Sequence, residues 1–150
     1  MSFAFLRPMD ESDLLWVNAA EIQAYEFPWS EDGFLKALDD GLCYVFCDLD
    51  EEPLGYACFI TVLDELHLLN FCVIPDFHGQ GIGQAAMLAL LEQFAESKYA
   101  VVLLEVRESN DAAIHLYEKI GFKVDGKRPN YYRTQTGREH AILMSYRFEV

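Results

Sequence analysis

A chain of 150 residues, 52% of them hydrophobic, is long enough for a single domain over residues 1–150 with its own core. No apolar run reaches the roughly 18 residues of a membrane span, and no basic leader precedes an apolar segment at the start of the chain, so we expect neither a membrane partner nor secretion. The formal net charge of −14 argues against direct binding of nucleic acid, because phosphates need cationic partners.

The negative charge is concentrated in the first two thirds of the chain. Residues 1–97 contain 18 acidic side chains and only two basic ones, Arg7 and Lys36, whereas residues 98–150 carry a net charge of +2. Long-range attraction would favour a cationic partner for the acidic part. The acidity can equally serve solubility alone.

The cysteines indicate a reducing compartment. They lie within or beside apolar runs and form no Cys-x-x-Cys pair: Cys43, Cys47, Cys58 and Cys72. We interpret them as reduced core cysteines of a cytoplasmic protein. No group of cysteines and histidines has the spacing of a zinc site, so we expect no metal.

The chain begins with a predicted strand and two predicted helices. Residues 3–7 alternate between apolar and other side chains, which indicates a strand. Asp10 is expected to cap the first helix, with Asp13 at the reciprocal position of a capping-box pattern. Ser30 is expected to cap the second helix, which Gly41 ends.

The rest of the chain predicts six more strands and two more helices. Strands are expected at residues 42–48, 54–62, 66–74, 101–106, 122–124 and 141–148, the first three as an antiparallel meander. Helices are expected from residue 83 to about 97, and from a cap at Ser109 or Asn110 to Ile120. We interpret residues 128–140 as a polar loop.

The stretch over residues 71–84 joins a strand to a helix through three glycines at positions 79, 81 and 83. A turn of this kind exposes backbone N–H groups at a helix start, where the helix dipole attracts phosphate. The alternative is a tight turn in which glycine only supplies a positive φ. The spacing fits neither a P-loop nor a dinucleotide-binding fingerprint.

Two side chains stand out as candidates for chemistry. Glu105 interrupts an apolar strand, where a carboxylate costs free energy unless it is paired or exposed, so it either lines a cleft or forms a salt bridge, for example with Arg107. Tyr117 lies in the last predicted helix, where it either packs in the core or donates a proton. No nucleophile–base pair supports a covalent triad.

Three motifs and the order of the elements resemble the GNAT superfamily of N-acetyltransferases. The motifs are Asn-Phe-Cys-Val at residues 70–73, the glycine loop at residues 78–83 and Asn-x-x-Ala-x-x-x-Tyr-x-x-x-Gly-Phe at residues 110–122. Four further motifs resemble the bacterial ribosomal-protein-alanine N-acetyltransferases, the RimI family. They are Phe-Pro-Trp-Ser at residues 27–30, Leu-Glu-Val-Arg at 104–107, Asn-Tyr-Tyr at 130–132 and Gly-Arg-Glu at 137–139.

The resemblance implies an α/β fold with a mixed, mostly antiparallel sheet, flanked by about four helices and splayed between its central strands. It implies acetyl transfer from acetyl-CoA, as co-substrate, to the N-terminal alanine amine of a small-subunit ribosomal protein, by direct attack in a ternary complex. Such a protein is commonly basic, which suits the acidic part of this chain. The alternatives are a small-amine or lysine acetyltransferase and a non-catalytic acyl-CoA sensor.

The resemblance also assigns site residues. Glu105 would be the base that accepts the proton of the amine, and Tyr117 the acid that protonates the leaving thiolate. Acetyl-CoA would be bound by Phe71, Cys72, Val73, Gly79, Gln80, Gly81, Ile82, Gly83, Gln84 and Asn110. The peptide would be bound by Phe27, Trp29, Tyr131 and Tyr132. The sequence departs from the family pattern at His78, Gly79, Gln84, Arg133 and His140.

Overall fold

The computed structural model describes residues 2–149, which form seven strands, four α-helices and two short 3₁₀ helices. The strands are β1 (Phe5–Pro8), β2 (Leu42–Cys47), β3 (Pro53–Val62), β4 (Glu65–Val73), β5 (Val101–Arg107), β6 (Lys123–Arg133) and β7 (Arg138–Arg147). The α-helices are α1 (Leu14–Ala24), α2 (Glu31–Asp40), α3 (Ile82–Ala95) and α4 (Asp111–Ile120), and the 3₁₀ helices are Glu11–Asp13 and Pro75–Phe77.

The strands form one sheet in the order β1-β2-β3-β4-β5-β7-β6. The β4–β5 pair is parallel, and every other neighbouring pair is antiparallel. The predicted mixed, mostly antiparallel α/β sheet with four helices is therefore confirmed, and so is the meander of β2, β3 and β4.

The sheet splays between β4 and β5, as predicted. These two strands pair only where residues 65–67 of β4 meet residues 101–103 of β5. Just beyond that point β4 has one extra residue, Leu69, opposite the junction of Cys58 and Phe59 in β3. Because a bulge of this kind bends its strand, β4 turns away from β5 and a cleft opens between their second halves.

Each face of the sheet is covered by a pair of helices. On one face, α3 buries a stripe of apolar side chains against the sheet, which the tyrosine of α4 joins: Ile82, Ala86, Leu90, Phe94 and Tyr117. On the other face, Val17 of α1 and Phe34 of α2 pack in one cluster with Tyr56 of β3. The sheet is thus buried on both sides around the cleft.

The predicted helix caps are confirmed. Asp10 and Asp13 form a capping box at the start of the first helical segment. The Ser30 side chain accepts a hydrogen bond from the first turn of α2. Of the two candidates for the cap of α4, Asn110 fills the position, and its side chain accepts a backbone N–H three residues on.

The polar loop predicted for residues 128–140 is wrong. Most of it belongs to a long hairpin formed by β6 and β7, and only residues 134–137 lie between the two strands. Strands were predicted at residues 122–124 and 141–148, but the full length of β6 was missed because this strand lies at the edge of the sheet and is exposed along almost its whole length. An exposed strand carries no apolar alternation, which is the signal that predicts a strand.

The four cysteines are buried and free, as predicted. Among residues 2–149, no helix combines the length and hydropathy needed to cross a membrane. In the same part of the chain, no group of three or more His, Cys, Asp and Glu side chains is arranged to hold a metal ion.

Candidate active site

One wall of the cleft is the open edge of β4. The carbonyl of Cys72 faces β3, since a Cβ added at Gly55 would lie 2.2 Å from that oxygen. Polar backbone groups alternate in direction along a strand, so those of Phe71 and Val73 face the cleft instead. Of the three residues of β4 predicted to bind acetyl-CoA, Phe71 and Val73 therefore direct their backbone polar groups toward the cleft. Cys72 directs its backbone polar groups toward β3 within the sheet.

Two side chains already bind the carbonyls of this open edge. The Tyr25 hydroxyl donates a hydrogen bond to the Phe71 carbonyl (2.5 Å), and the His78 ring donates through Nε2 to the Val73 carbonyl (2.7 Å). Sequence reasoning missed Tyr25, although a tyrosine at the very end of α1 was a visible signal. His78 ties the glycine loop to the strand that precedes it.

The glycine loop leads into α3 with an open approach to its first turn. Gly79 and Gly81 have φ values of +80° and +76°, and nothing lies within 4 Å of a Cβ added at either. Gly81 is also the N-cap of α3, and because glycine has no side chain, it does not cap the backbone N–H groups of the first turn. A phosphate fits such a helix start, because the backbone N–H groups and the helix dipole both attract anions.

Two other residues of the glycine loop, Ile82 and Gly83, pack against the rest of the protein. Ile82 is buried in the core. A Cβ at Gly83 would contact Leu116 of α4 and the side chains of Phe71 and Val73, at 3.5 to 3.7 Å. Gly83 thus packs closely between α4 and β4.

The opposite wall of the cleft is β5, where Glu105 lies. Its side chain is 32% exposed, but its Oε2 atom is buried and has no hydrogen-bond partner among the described residues. The nearest cation is Arg128, whose Nη1 lies 3.6 Å away, longer than a hydrogen bond. A buried carboxylate oxygen without a donor is costly, so this atom is suited to accept a proton or a hydrogen bond from a bound molecule.

The salt bridge considered between Glu105 and Arg107 does not form. Arg107 instead binds Glu139 (Nη1 to Oε2, 3.2 Å) and donates to the carbonyl of Arg133 (2.7 Å). The two side chains share one face of β5 but point to different partners.

Tyr117 lies between the cleft and the core. Its ring contacts Phe71 and Phe122, with centroids 6.3 Å and 5.5 Å away. Burial raises the pKa of Tyr117 above its ordinary value, and the nearby Tyr132 raises it further. A tyrosine with its ordinary pKa of about 10 is already protonated at neutral pH, so the phenol carries the proton that a general acid donates, and the raised pKa makes it a weaker acid.

The cysteine beside the cleft is not a nucleophile. Burial raises the pKa of the Cys72 thiol to about 11, and the residue is 2% exposed. The reactive form of cysteine is the thiolate, which is scarce here at neutral pH. This agrees with the sequence, which supports no covalent triad.

Three of the four predicted peptide-binding residues meet around the arginines at the cleft. The Arg107 guanidinium lies 5.5 Å from the Phe27 ring centroid and 4.6 Å from that of Tyr132. The Tyr131 and Tyr132 rings pack edge to face, 4.9 Å apart. Arg107 thus joins the segment after α1 to the β6–β7 hairpin, a role that sequence reasoning did not give it.

Tyr132 is the link between the two candidate catalytic residues. Burial raises the pKa of Tyr132 to about 12, and the charge of Glu105 is the next largest cause. The same tyrosine contributes to the raised pKa of Tyr117. Tyr132 is therefore close enough to interact electrostatically with both Glu105 and Tyr117.

Trp29 is held differently. Its ring packs on Phe34 of α2, with centroids 5.1 Å apart, and its backbone N–H donates to Oε2 of Glu21 (3.0 Å). Glu21 is 2% exposed and also accepts hydrogen bonds from Tyr56 (2.7 Å) and Asn70 (3.0 Å). This buried carboxylate, which sequence reasoning also missed, fixes the segment that contains Phe27 and Trp29.

The sequence profile of the acetyltransferase (GNAT) family matches residues 9–122, and the chain belongs to this family. The matched part includes Glu105, Tyr117 and the glycine loop, and it ends before the β6–β7 hairpin. The fold and the family together define an N-acetyltransferase.

Two relatives narrow the comparison. The [ribosomal protein bS18]-alanine N-acetyltransferase of Escherichia coli K12 is 41% identical over 139 residues, which cover 91% of this chain and 93% of the relative. A putative enzyme of the same name from Bacillus subtilis is 32% identical over 143 residues, 94% of this chain and 93% of the relative. The resemblance to the RimI family is thereby confirmed.

Solved structures of N-acetyltransferases have the same fold as this chain. The crystal structure of the ribosomal-protein-S18-alanine N-acetyltransferase from Escherichia coli superposes with a TM-score of 0.90 at 35% identity, covering 97% of this chain and 94% of that one. Arabidopsis thaliana NAA60 in complex with acetyl-CoA has a TM-score of 0.86 at 17% identity over 96% of this chain and 99% of that chain, a likeness of fold alone.

Proposed function

We propose that this chain transfers the acetyl group of acetyl-CoA to the N-terminal amine of an alanine in ribosomal protein bS18. The proposed substrate is the one on which relatives with 41% identity over most of both chains act, as their names state. The observation that carries the chemistry is the buried Oε2 atom of Glu105, which has no hydrogen-bond partner among the described residues and belongs to β5, the strand across the cleft from the open edge of β4. Localisation in the cytoplasm is part of the same proposal.

The donor side of the cleft suits acetyl-CoA, which would supply the activated acetyl thioester. The backbone groups of Phe71 and Val73 would hold its extended arm along the open edge of β4. The pyrophosphate would lie at the start of α3, where glycines with positive φ leave the approach free of side chains. Asn110 would hydrogen-bond the same substrate from the start of α4.

The proton transfers follow from the positions of two residues. An N-terminal amine has a pKa of about 8, so most of it is protonated at pH 7 and must lose a proton before its nitrogen attacks. Glu105 would accept that proton through a water molecule. As the nitrogen–carbon bond forms and the carbon–sulfur bond breaks, the nitrogen loses its second proton to water, and Tyr117 would donate its proton to the departing thiolate and regain one from solvent.

The acceptor side suits an extended peptide. The rings of Phe27 and Tyr132 both lie on the guanidinium of Arg107, and Tyr131 packs against Tyr132. Aromatic rings on both sides of a narrow groove can enclose a backbone, which supports a protein N-terminus over a small amine. The acidic part of the chain would attract a basic N-terminus.

The test is mass spectrometry of a peptide panel incubated with enzyme and acetyl-CoA. One peptide carries the bS18 N-terminal sequence with a free alanine amine, a second has the same sequence with a blocked N-terminus and a free internal lysine, and a third sample is spermidine. We expect one acetyl group on the first peptide, at its α-amine, and none on the other two.

Other outcomes would contradict the proposal in distinct ways. Modification of the blocked peptide or of spermidine would identify a lysine or small-amine acetyltransferase. Binding of acetyl-CoA without modification of any amine would identify a sensor.

A further inference from the structure

The β6–β7 hairpin contains an unusual bulge beside the cleft. Arg128 pairs with Ala141, and the next pair is Tyr132 with Glu139. Three residues of β6, at positions 129–131, therefore lie opposite a single residue of β7, His140. Such a bulge disrupts the ladder of hydrogen bonds and re-aims the side chains that follow it.

The backbone within the bulge depends on His140. Asn130 has a φ of +52°, a left-handed conformation that is uncommon outside glycine but that asparagine adopts more readily than most residues. The residue before it is proline and has no N–H to donate. The N–H of Asn130 donates to Nδ1 of His140 at 3.0 Å, so the ring replaces a ladder hydrogen bond that the bulge removes.

The bulge leads directly into the two tyrosines at the entrance. The Tyr131 ring lies 4.7 Å from the guanidinium of Arg128, which is also the nearest cation to Glu105. The Tyr132 ring lies 4.6 Å from the guanidinium of Arg107. Asn130 directly precedes both residues in the chain, so its backbone conformation affects the direction in which β6 delivers the two rings.

We propose that His140 is a positioning residue for the acceptor substrate: by accepting the Asn130 N–H, it fixes the bulge and thereby places Tyr131 and Tyr132 at the entrance. This inference rests on the proposed function, in which the two tyrosines bind the peptide. His140 itself is two strands away from the donor side, and the proposal gives it no part in binding acetyl-CoA or in the proton transfers.

Two substitutions separate the hydrogen bond from the size of the side chain. His140→Leu removes the acceptor and puts an apolar side chain of similar length in its place. His140→Asn keeps an acceptor, because its Oδ1 is bonded to Cγ as Nδ1 is in histidine. His115→Leu is the matched control, because His115 is an exposed residue of α4 outside the hairpin.

We expect His140→Leu to raise KM for the bS18 N-terminal peptide about fivefold, the factor that corresponds to one hydrogen bond. KM for acetyl-CoA and kcat should stay within about twofold. His140→Asn should restore the peptide KM, and His115→Leu should change neither constant. Amide hydrogen exchange of Asn130 should become faster in His140→Leu and return toward the wild-type rate in His140→Asn.

The result that would overturn the proposal is an unchanged exchange rate at Asn130, or a His140→Leu variant that loses peptide and acetyl-CoA affinity equally. Equal rises in peptide KM for His140→Leu and His140→Asn would also overturn it, because the acceptor would then be irrelevant. If the wild-type enzyme does not acetylate the peptide, the proposed function fails, while the exchange rate still decides whether His140 holds the bulge.

Discussion

Substitution of Gly81 by valine tests whether the glycine loop binds the donor or only makes a turn. Gly81 has φ and ψ of +76° and +10°, and it ends the loop as the N-cap of α3. A left-handed conformation costs a residue with a Cβ about 1–2 kcal/mol, so the variant should be less stable by about that amount. The added side chain would project into space that holds no protein atom within 4 Å.

That open space is where the phosphates of acetyl-CoA would approach the first turn of α3. We expect Gly81→Val to weaken acetyl-CoA binding by at least about tenfold, which corresponds to about 1.4 kcal/mol. Isothermal titration calorimetry gives the affinity, and thermal denaturation gives the stability of each variant.

Gly137 provides the control, because it has a φ of +158°, open surroundings and a place in the β6–β7 turn, away from α3. Gly137→Val should lower stability and leave acetyl-CoA affinity unchanged. An unchanged affinity in a folded Gly81→Val protein would refute the reasoning, and the glycine would then serve the turn alone. Equal losses of affinity in both variants would mean that strain, not access, is responsible.

Four further predictions concern catalysis, steering and stability. Tyr117→Phe should lower kcat by roughly 10²-fold, as expected for one general acid, with acetyl-CoA affinity unchanged; full activity would leave Tyr117 a core residue. Glu105→Gln should cost a similar factor, and its deficit should shrink as pH rises and more amine is neutral, whereas a pH-independent loss in kcat would indicate a role in orientation. Raising the salt concentration should increase KM for a basic peptide more than for a neutral one, and equal effects would favour solubility as the reason for the acidity. Arg7 hydrogen-bonds Asp13 and holds its pKa at about 2, so Asp13→Asn should lower the free energy of unfolding at pH 7 by about 1–2 kcal/mol. Because the folded pKa is depressed, that difference is fully present above pH of about 4 and should narrow in denaturant titrations as pH falls toward 2; a constant difference would contradict it.

The fold could be predicted where the signal is local. Continuous apolar runs mark β2 to β5, and glycines mark the turn before α3, so each element is visible within a few residues. The hairpin of β6 and β7 could not be found in this way. Its strands are held by pairing with each other and with β5, and the mostly exposed residues of β6 carry no apolar pattern.

The residues of the site also divide into those with a local sequence signal and those whose contacts depend on the folded chain. Glu105 and Tyr117 could be proposed because one breaks an apolar strand and the other lies on a helix with a recognisable motif. Their neighbours come from distant parts of the chain: Tyr25 meets the carbonyl of Phe71 across 46 residues of sequence. Glu21 carried a weak signal as an acidic residue in the apolar stripe of α1, but its three donors lie on three other segments, and their meeting depends on the folded sheet.

The extra residue in β4 has a consequence for the length of the cleft in the sheet. An unpaired strand edge usually lies at the outside of a sheet, where it invites another chain to add a strand. Here one such edge lies in the middle of the sheet, inside a wedge that is closed where residues 65–67 still pair with β5. Leu69 marks the point at which that wedge begins, so its position sets how much of the edge is free. Protein engineers who want an acetyltransferase with a longer or shorter cleft between β4 and β5 could therefore move this one insertion along β4 instead of replacing the side chains that line the cleft.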